Sequence, residues 1–513
     1  AVQLMKHRLV LQRLSAIEMM ARIQILCLDK TGTLTEGLLV FQSVRPAPNI
    51  DLPHAQMVIA SYLMATEPEG ELAAATPFLK KAQTAEVDRA FSSQSGYGVI
   101  KLKGKRYRIG TPESLADQLS TLEQSWLTKQ TDTLTDMGER IIAFAEVGRS
   151  KAHLVGVISY AQPIKKNVRP VLDFFRERSV AIKIFSGDHP KTVRSIAQDL
   201  KMPKASSVIS GTDITDKSKA ELRDIVRENH YFARVSPEQK ADLITLCREM
   251  GIVGMVGDGA NDALAIKAAD IGLSMMNAAE VTRSLADIVL LDNDFDQLPR
   301  SVRLADAAIT TIELIGCLFF NKVVIGITLI IASLITQQPY PLSPRNITVL
   351  NYFIIGVPIL LWTYYPRLRE RSPHEPGYLN RILPFVIANG TIASIVTVIG
   401  YVLAHTGGEN IQMTTFVIVL VLGMGMLITA PRALGVRSSQ HYLGRVGIVS
   451  LIAILLLSII FYVEPLRIFF GLDELQASWL QLGLTLSGVG FGLQLLTLRE
   501  GWMDRIRSTI SSR

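Results

Sequence analysis

Six long apolar stretches follow residue 310, and they constrain the fold more than any other feature of the chain. Their positions are 314–336, 346–365, 382–404, 412–430, 446–463 and 477–497. About 20 apolar residues are enough to cross the hydrocarbon core of a bilayer as a helix. Six such stretches in succession predict an all-α transmembrane domain at 311–498, followed by a tail at 499–513.

The loops between these stretches predict the orientation of the chain. Arginines are concentrated in the loops after the second and fourth stretches and in the tail, whereas the other three loops hold few positive residues. Because positively charged loops tend to stay on the cytoplasmic side, the soluble part of the chain is predicted to be cytoplasmic. We therefore expect a multi-pass protein of the cell membrane, with the lipid bilayer as a partner.

Three short apolar runs in the first 310 residues each lead into an aspartate. "IQILCL" precedes Asp29, "VAIKIFS" precedes Asp188 and "GIVGMV" precedes Asp258. Short aliphatic runs of this kind are typical of buried parallel strands. In open α/β sheets, reactive groups gather just beyond the carboxyl ends of the strands. The three aspartates are therefore predicted to lie at one edge of a sheet.

The residue types near these strand ends favour phosphoryl chemistry. A carboxylate such as Asp29 can act as a nucleophile, and carboxylate oxygens are ligands that suit Mg²⁺. Lys240 in "ARVSPEQK" offers a positive charge for a phosphate, and Asn261 and Asp262 follow the glycines of "GDGAND". An isolated Asp-Lys pair is more often an ordinary polar turn. The sequence has no GxxxxGK[ST] motif, so a P-loop is not predicted.

Composition argues against a nucleic-acid-binding protein and against a metal or redox site built from cysteines. The formal net charge is +7, but no block of basic residues alternates with aromatic residues. Nucleic acid is therefore not predicted as a partner. Cys27, Cys247 and Cys317 have no metal-binding spacing and form no CxxC pair, so they are interpreted as reduced, buried thiols.

Four motifs, taken in order, resemble those of a known family. "DKTGTLTEG", "SGDHP", "ARVSPEQK" and "GDGANDA" resemble the phosphorylation motifs of P-type ATPases, and six spans after them also fit that family. The resemblance implies a haloacid-dehalogenase-like α/β phosphorylation domain at 1–40 and 155–310, interrupted by an α+β nucleotide-binding domain at 41–154. It also implies ATP hydrolysis coupled to cation transport, with Mg²⁺ and ATP as cofactors.

The resemblance also implies roles for individual residues. Asp29 would become the aspartyl phosphate, and Mg²⁺ would be bound by Asp29, Asp258 and the carbonyl of Thr31. The residues implied to contact the phosphate or complete the catalytic site are Lys240, Thr33, Ser186, Gly187 and Asp262. The residues implied on the nucleotide side are Phe91, Gly110, Arg140, Asp188, Arg234 and Asn261. Phe91 would stack on adenine, and its alternative interpretation is a core phenylalanine.

Several positions depart from the pattern of the family. Ile109 stands where a lysine is usual, and Gln162 stands where an aspartate is common. "PLSPRNITVLNYFIIGVP" resembles a loop and span of calcium and sodium–potassium pumps, but Ile355 replaces the usual membrane aspartate. Lys322 is a charge within the first span, and such residues are functional by default. Snorkelling of Lys322 to the membrane interface is the alternative interpretation.

Several alternatives for the function stay open. The chain resembles most a bacterial cation-translocating branch whose ions include calcium, and the transported cation and the direction of transport are not predicted. A phospholipid is the alternative substrate, because lipid flippases of the family also lack the membrane carboxylates and carry a lysine in the corresponding span. A membrane-tethered phosphatase of the same fold is disfavoured, because Thr31 stands where such phosphatases carry a second aspartate.

The family has parts that the motifs of this chain do not account for. Its actuator domain and first four spans are expected to precede residue 1. The chain is therefore interpreted as the C-terminal part of an incomplete pump, and the missing N-terminal half is a candidate partner. A non-catalytic membrane subunit made from a split gene is a further alternative.

Overall fold

The structure is a computed structural model, and it describes most of the chain. The described ranges are 9–13, 15–36, 38–92, 95–148, 151–291, 295–364, 372–375, 377–408, 410–436, 440–474 and 476–498. The predicted tail at 499–513 lies outside them, as do 365–371 and 437–439 of the arginine-bearing loops. The chain divides into two compact units, Ala1–Ser301 and Val302–Arg513.

Two β-sheets organise the first unit. In the described residues the strands are β1 (Leu9–Leu11), β2 (Ile25–Asp29), β3 (Val40–Pro46), β4 (Glu86–Ser92), β5 (Tyr97–Leu102), β6 (Lys105–Gly110), β7 (Arg140–Val147), β8 (Ala152–Ala161), β9 (Ala181–Phe185), β10 (Val208–Ser210), β11 (Tyr231–Ala233), β12 (Val253–Gly257), β13 (Ile271–Met275) and β14 (Ile288–Leu290). One sheet has the order β1-β14-β13-β12-β2-β9-β11-β10, and the other has the order β3-β8-β7-β6-β5-β4.

The first sheet is parallel apart from the antiparallel pair β1–β14. Its central strands β12, β2 and β9 are the three runs whose ends carry the predicted aspartates. Leu26 and Leu28 of β2 have no exposed surface, as expected where helices cover both faces of a parallel sheet. Leu28 pairs with Val256 and Asp29 with Phe185. The carboxyl ends of the three strands therefore lie at one edge, and the predicted parallel α/β sheet is confirmed.

The second sheet is antiparallel throughout and is inserted between β2 and β9. The helix Leu52–Thr66 covers one face, where Val58 and Ile59 pack with Ile100, Tyr107 and Ile158 in one buried cluster. The predicted insert, an α+β segment, is thus present as an antiparallel sheet with helices. The predicted boundary at 154/155 falls inside β8, which pairs with β3 as far as residue 161.

Helices connect the strands of the first unit, and one of them positions a predicted site residue. The helices are Ala16–Ala21, Leu52–Thr66, Glu71–Ala75, Pro112–Ala116, Thr121–Asp136, Val168–Glu177, Pro190–Asp199, Gly211–Ile214, Lys219–Glu228, Pro237–Arg248, Ala263–Ala268 and Glu280–Leu285, with short 3₁₀ turns at Leu79–Lys81 and Ala260–Asp262. Ser236 and Gln239 form a capping box at the start of Pro237–Arg248. The capping box fixes the first turn of this helix, which carries Lys240.

Buried polar groups are also found beneath the parallel sheet. Cys27 of β2 pairs across the sheet with Lys183 of β9, and Cys27 and Cys247 belong to one buried cluster. The ammonium of Lys183 donates hydrogen bonds of 2.6 Å to the carbonyls of Val226 and Asn229. These carbonyls end the helix Lys219–Glu228, where a positive charge is favourable. The predicted burial of Cys27, Cys247 and Cys317 is confirmed.

The remaining helices include six that are long and apolar enough to cross a membrane in the described residues. Their ranges are Gln297–Thr336, Pro344–Thr363, Tyr378–Gly407, Ile411–Ala433, Gly444–Tyr462 and Ala477–Leu496. A short helix, Glu464–Phe470, precedes the last of them. The predicted number and approximate positions of the six spans are confirmed. The second span contains one π-helical turn at Tyr352–Gly356, a distortion that is frequent at functional sites.

Candidate active site and nucleotide cavity

Asp29 ends β2 at the edge where the three strand ends meet. Only 7% of its surface is exposed. Lys240 donates a hydrogen bond of 2.7 Å to Asp29 Oδ1, and the backbone N–H of Thr31 donates one of 2.8 Å to Asp29 Oδ2. Both carboxylate oxygens are therefore fixed by neighbours within this edge of the sheet.

Lys240 is shared between two carboxylates. Its ammonium lies 2.7 Å from Asp29 Oδ1 and 2.5 Å from Asp262 Oδ1, and its side chain is almost fully buried. Burial lowers the pKa of Lys240, but the negative charges of Asp29 and Asp262 outweigh that effect and raise it. Lys240 is therefore a permanent positive charge at the strand ends, where a phosphoryl group would need one.

Three carboxylates form a compact group at this edge. Asp29, Asp258 and Asp262 each offer an oxygen, and these oxygens all lie within 4.8 Å of one another. Burial, together with the neighbouring carboxylates, raises the pKa of Asp29 to about 7 and that of Asp258 to about 6. Such a crowded set of oxygen donors fits Mg²⁺, which favours carboxylates and relieves their repulsion. Asp262 was predicted as a catalytic residue, and it is the third member of this group.

Gly32 makes the close approach of Asp258 possible. A Cβ atom added to Gly32 would lie 1.4 Å from Asp258 Oδ2, and Gly32 has a φ of +69°. Both the space and the backbone conformation therefore require glycine. The ammonium of Lys165 contacts the carbonyl oxygen of Gly32, and its charge acts on Asp258. Lys165 was not singled out in the sequence, because nothing local links it to Gly32.

Lys30, which follows Asp29 in the Asp-Lys pair and is a candidate source of positive charge, makes contacts that the sequence does not predict. It is 1% exposed, and its ammonium contacts Gln162 Oε1 and Asp188 Oδ2. Gln162 was noted only as a departure from the family pattern. Its amide oxygen still accepts a hydrogen bond from Lys30, but without the negative charge of an aspartate.

The remaining residues predicted near the phosphate occupy different environments. Thr33 is fully buried, and its hydroxyl has no hydrogen-bond partner in the described residues. Ser186 is buried and accepts a 3.1 Å hydrogen bond from the N–H of Asp188. A Cβ atom added to Gly187 would have no described atom within 4 Å, so there is open space beside this residue. Asn261 is exposed, and none of the described contacts joins it to the carboxylate group. The hydroxyl of Thr33 and the space beside Gly187 are therefore without a partner among the described residues, and the predicted role of Asn261 stays a prediction.

Phe91 lies in a cavity of the inserted sheet. The cavity has a volume of about 190 Å³ and is lined by Phe91, Gly110 and Arg140, together with residues of the helix Leu52–Thr66. Half of the surface of Phe91 is exposed, which is not the environment of a core phenylalanine. A Cβ atom on Gly110 would lie 2.3 Å from the carbonyl oxygen of Gly96, so glycine is required there.

A larger cavity of about 320 Å³ lies between the inserted sheet and the parallel sheet. The insert contributes Arg140, and the parallel sheet contributes Gly187, Asp188 and Arg234. Arg140 lines both cavities. The predicted nucleotide-side residues apart from Asn261 thus line two neighbouring cavities, of a size and polarity that fit a base and a charged tail.

Replacing Phe91 with alanine is expected to weaken ATP binding about tenfold, because an aromatic side chain stacked on a base is worth roughly 1–3 kcal/mol. Leu122→Ala is a suitable control, since Leu122 is 85% exposed and lies outside both cavities. Titration calorimetry with ATP measures the effect. Equal affinities for Phe91→Ala and the unsubstituted protein would show that Phe91 does not stack on the base.

Charged side chains of the membrane spans form contacts between helices. The ammonium of Lys322 in the first span contacts Asn351 Oδ1 in the second, immediately before the π-helical turn. Glu313 is fully buried, and Arg381 donates a 2.6 Å hydrogen bond to it. Lys322 therefore points at a neighbouring span, which favours an intramembrane role over snorkelling to the interface.

The catalytic fold and its strand-end carboxylates define a haloacid dehalogenase-like hydrolase domain. A family model with that description matches residues 23–270. The calcium-transporting ATPase CtpE of Mycobacterium bovis is 28% identical over 99% of this chain and 64% of its own length. The probable cation-transporting ATPase exp7 of Streptococcus pneumoniae is 27% identical over 83% and 56%, and the magnesium-transporting ATPase of Escherichia coli is 26% identical over 59% and 38%.

Over 99% of its length the chain is similar to the calcium-transporting ATPase CtpE of Mycobacterium bovis, and over 84% to that of Mycolicibacterium smegmatis. With its six spans it is a multi-pass membrane protein. It spans 64% of the length of CtpE, the first of these relatives.

Proposed function

We propose that this chain carries the catalytic and C-terminal membrane parts of a P-type ATPase, which couples ATP hydrolysis to cation transport through a phosphoryl group on Asp29. The observation that carries the proposal is the position of Asp29, a buried strand-end carboxylate held by Lys240 beside Asp258 and Asp262. The six spans and the names of the relatives, which describe them as transporters of calcium, magnesium or an unspecified cation, support the coupling to transport.

In this mechanism Asp29 attacks the terminal phosphorus of ATP. A bond forms from a carboxylate oxygen of Asp29 to phosphorus while the bond from phosphorus to the ADP oxygen breaks, so ADP leaves with the electron pair. Lys240 neutralises charge on the transferred group, and the buried hydroxyl of Thr33, which has no hydrogen-bond partner among the described residues, donates a hydrogen bond to it. Asp29, Asp258 and the carbonyl of Thr31 would hold Mg²⁺, which would supply further charge neutralisation.

The residue at position 31 favours a long-lived phosphoenzyme. Thr31 is exposed, and its N–H donates to Asp29. Its hydroxyl cannot act as the carboxylic general acid and base that would activate water against an aspartyl phosphate. A transport cycle needs an intermediate that survives until the membrane part has responded, whereas a phosphatase does not.

The relatives and the membrane spans point to different transported species. The relatives favour a cation, which we take as the preferred substrate. The contact of Lys322 with Asn351 places a positive charge between two spans, and this observation favours a phospholipid headgroup as the second candidate. We place the soluble part on the cytoplasmic side and propose that the remaining parts of the pump, including an actuator domain, complete the cycle.

Replacing Lys322 with glutamine distinguishes the two candidates. If a cation is transported, removal of a like charge near its path is expected to raise the apparent cation affinity about tenfold. If a phospholipid is transported, stimulation by that lipid is expected to fall. Thr328→Val is the matched control, because the one described hydrogen bond of the Thr328 hydroxyl goes to the carbonyl of Val324 in its own span. Cation- and lipid-dependent phosphorylation, in a pump with its upstream half restored, is the measurement.

Phosphorylation from labelled ATP tests the proposed function. We expect an acid-stable label that hydroxylamine removes, as for an acyl phosphate, and whose level changes with one member of a panel of cations and lipids. The ligand that changes the level identifies the substrate. Release of inorganic phosphate without a trapped intermediate would support a phosphatase instead. Absence of any label in a folded, ATP-binding protein would overturn the catalytic assignment.

A further inference from the structure

Glu113 of the insert forms an ion pair with Arg234, one of the residues predicted on the nucleotide side. Arg234 Nη2 donates a hydrogen bond of 2.7 Å to Glu113 Oε1. Both residues line the larger cavity, Glu113 from the inserted segment and Arg234 from the parallel sheet. The side chains of Arg234 and Glu113 are 41% and 52% exposed. The pair therefore bridges the two sides of the cavity in contact with solvent.

The backbone of Arg234 is held in an uncommon conformation. Its φ is +50°, in the left-handed region that residues other than glycine seldom adopt. The N–H of Arg234 donates a 2.9 Å hydrogen bond to the carbonyl of Asp188. Gly211 leaves the space that this conformation needs, because a Cβ there would lie 2.2 Å from the carbonyl oxygen of Arg234. Strain of this kind is typical of functional sites, and here it accompanies a guanidinium directed at the insert.

Two other cations at this edge, Lys30 and Lys240, are also held by carboxylates of the chain itself. Lys30 contacts Asp188, and Lys240 contacts Asp29 and Asp262. Lys30 and Lys240 are 1% and 4% exposed, so their carboxylate partners are not readily exchanged with solvent. The pair of Arg234 and Glu113 differs, because it is accessible and spans the cavity. A polyphosphate that enters the cavity meets this pair before it meets the buried ones.

We propose that Glu113 is a nucleotide latch: its carboxylate occupies the guanidinium of Arg234 in the nucleotide-free protein, and an anionic nucleotide must displace it. Glu113 thereby lowers the affinity for ATP. When a nucleotide enters the cavity, the ion pair between Glu113 of the insert and Arg234 of the parallel sheet breaks. The inference rests on the proposed function, because its ligand is a nucleoside triphosphate. Glu113 is a positioning residue in this account and takes no part in phosphoryl transfer.

A second bridge between the same two parts of the unit provides the control. Lys191 contacts Asp132 and lies 3.6 Å from Asp136. Asp132 and Lys191 line a third cavity, of about 220 Å³, and not the one that holds Arg234, whereas Glu113 lines both. Removing this bridge loosens the insert without freeing Arg234. A general loosening and a specific competition for Arg234 can therefore be separated.

The test is calorimetric titration of ATP into the full chain in detergent micelles. Glu113→Gln is expected to tighten ATP binding about two- to fivefold, the range for release of one solvent-accessible ion pair. The gain is expected to shrink at high salt, because salt screens the pair. Asp132→Asn is expected to leave the affinity unchanged. In an Arg234→Gln background, which itself binds ATP more weakly, Glu113→Gln is expected to have no effect.

The outcomes separate the latch from the proposed function. Equal or weaker ATP binding by Glu113→Gln would overturn the latch and leave the proposed function standing. A gain of the same size in Asp132→Asn, or in the Arg234→Gln background, would also overturn it. Failure of the unsubstituted protein and all variants to bind ATP would overturn both the latch and the proposed function. Thermal unfolding of each variant checks that the nearly isosteric substitutions leave the fold intact.

Discussion

Replacing Asp29 with asparagine is expected to reduce the hydroxylamine-labile label from ATP by about a thousandfold or more, to background. Asparagine keeps the size of Asp29 and can accept one of its two hydrogen bonds, but it offers no carboxylate oxygen to attack phosphorus. Acid-quenched phosphorylation of the restored pump is the measurement. Asp216→Asn is a suitable control, since Asp216 is exposed and lies away from the strand ends. Undiminished label in Asp29→Asn would exclude Asp29 as the nucleophile.

The same substitution is not expected to unfold the protein. Lys240 keeps Asp262 as a partner, so no buried positive charge is left uncompensated. Because burial raises the pKa of Asp29 to about 7, its ionised form disfavours the folded state without metal. The resulting loss of folding stability grows as pH rises from the ordinary pKa of an aspartate, about 4, through 7. We therefore expect metal-free Asp29→Asn at pH 8 to unfold at the same temperature as the parent protein or a higher one, measured by circular dichroism.

Replacing Gly32 with alanine is expected to reduce phosphorylation about a hundredfold, although Gly32 has no reactive group. The new methyl group would overlap Asp258 Oδ2 and force that carboxylate away from its place beside Asp29. Displacements of about 1 Å in a catalytic constellation have effects of this size. The Mg²⁺ concentration needed for half-maximal phosphorylation is expected to rise as well, because Asp258 is a proposed ligand.

Gly104 provides the matched control for this substitution. It has a φ of +76°, close to that of Gly32, but no described atom lies within 4 Å of an added Cβ. Gly104→Ala therefore carries the same backbone strain without the collision, and a cost of about 1 kcal/mol in stability with full phosphorylation is expected. If both variants phosphorylate equally well, the packing of Gly32 against Asp258 is not needed for the reaction.

Much of the fold and part of the site could be predicted from local sequence. The runs before Asp29, Asp188 and Asp258 are short, aliphatic and abruptly ended, which is enough to indicate buried parallel strands. The rule that reactive groups gather at the carboxyl ends then brings their aspartates together. The six apolar stretches predict the spans for an equally local reason, since length and hydropathy decide whether a helix can cross a bilayer.

The contacts that connect these local features could not be predicted. Lys30 reaches Gln162, and Arg234 reaches Glu113, across more than a hundred residues of sequence. These pairs depend on which strands are neighbours and on how the insert lies beside the parallel sheet, and no spacing rule encodes either.

The burial of the cysteines offers a way to follow each unit separately. Cys27 and Cys247 lie in the first unit and Cys317 in the second, and none has exposed surface. A thiol reagent modifies a buried cysteine only after the surrounding structure opens, so the modification rate under native conditions reports the free energy of that opening. Peptide mapping after timed exposure would then resolve the opening of the strand that carries Asp29 from that of the first span. A ligand that slows the modification of Cys27 stabilises the first unit, and one that slows the modification of Cys317 stabilises the second.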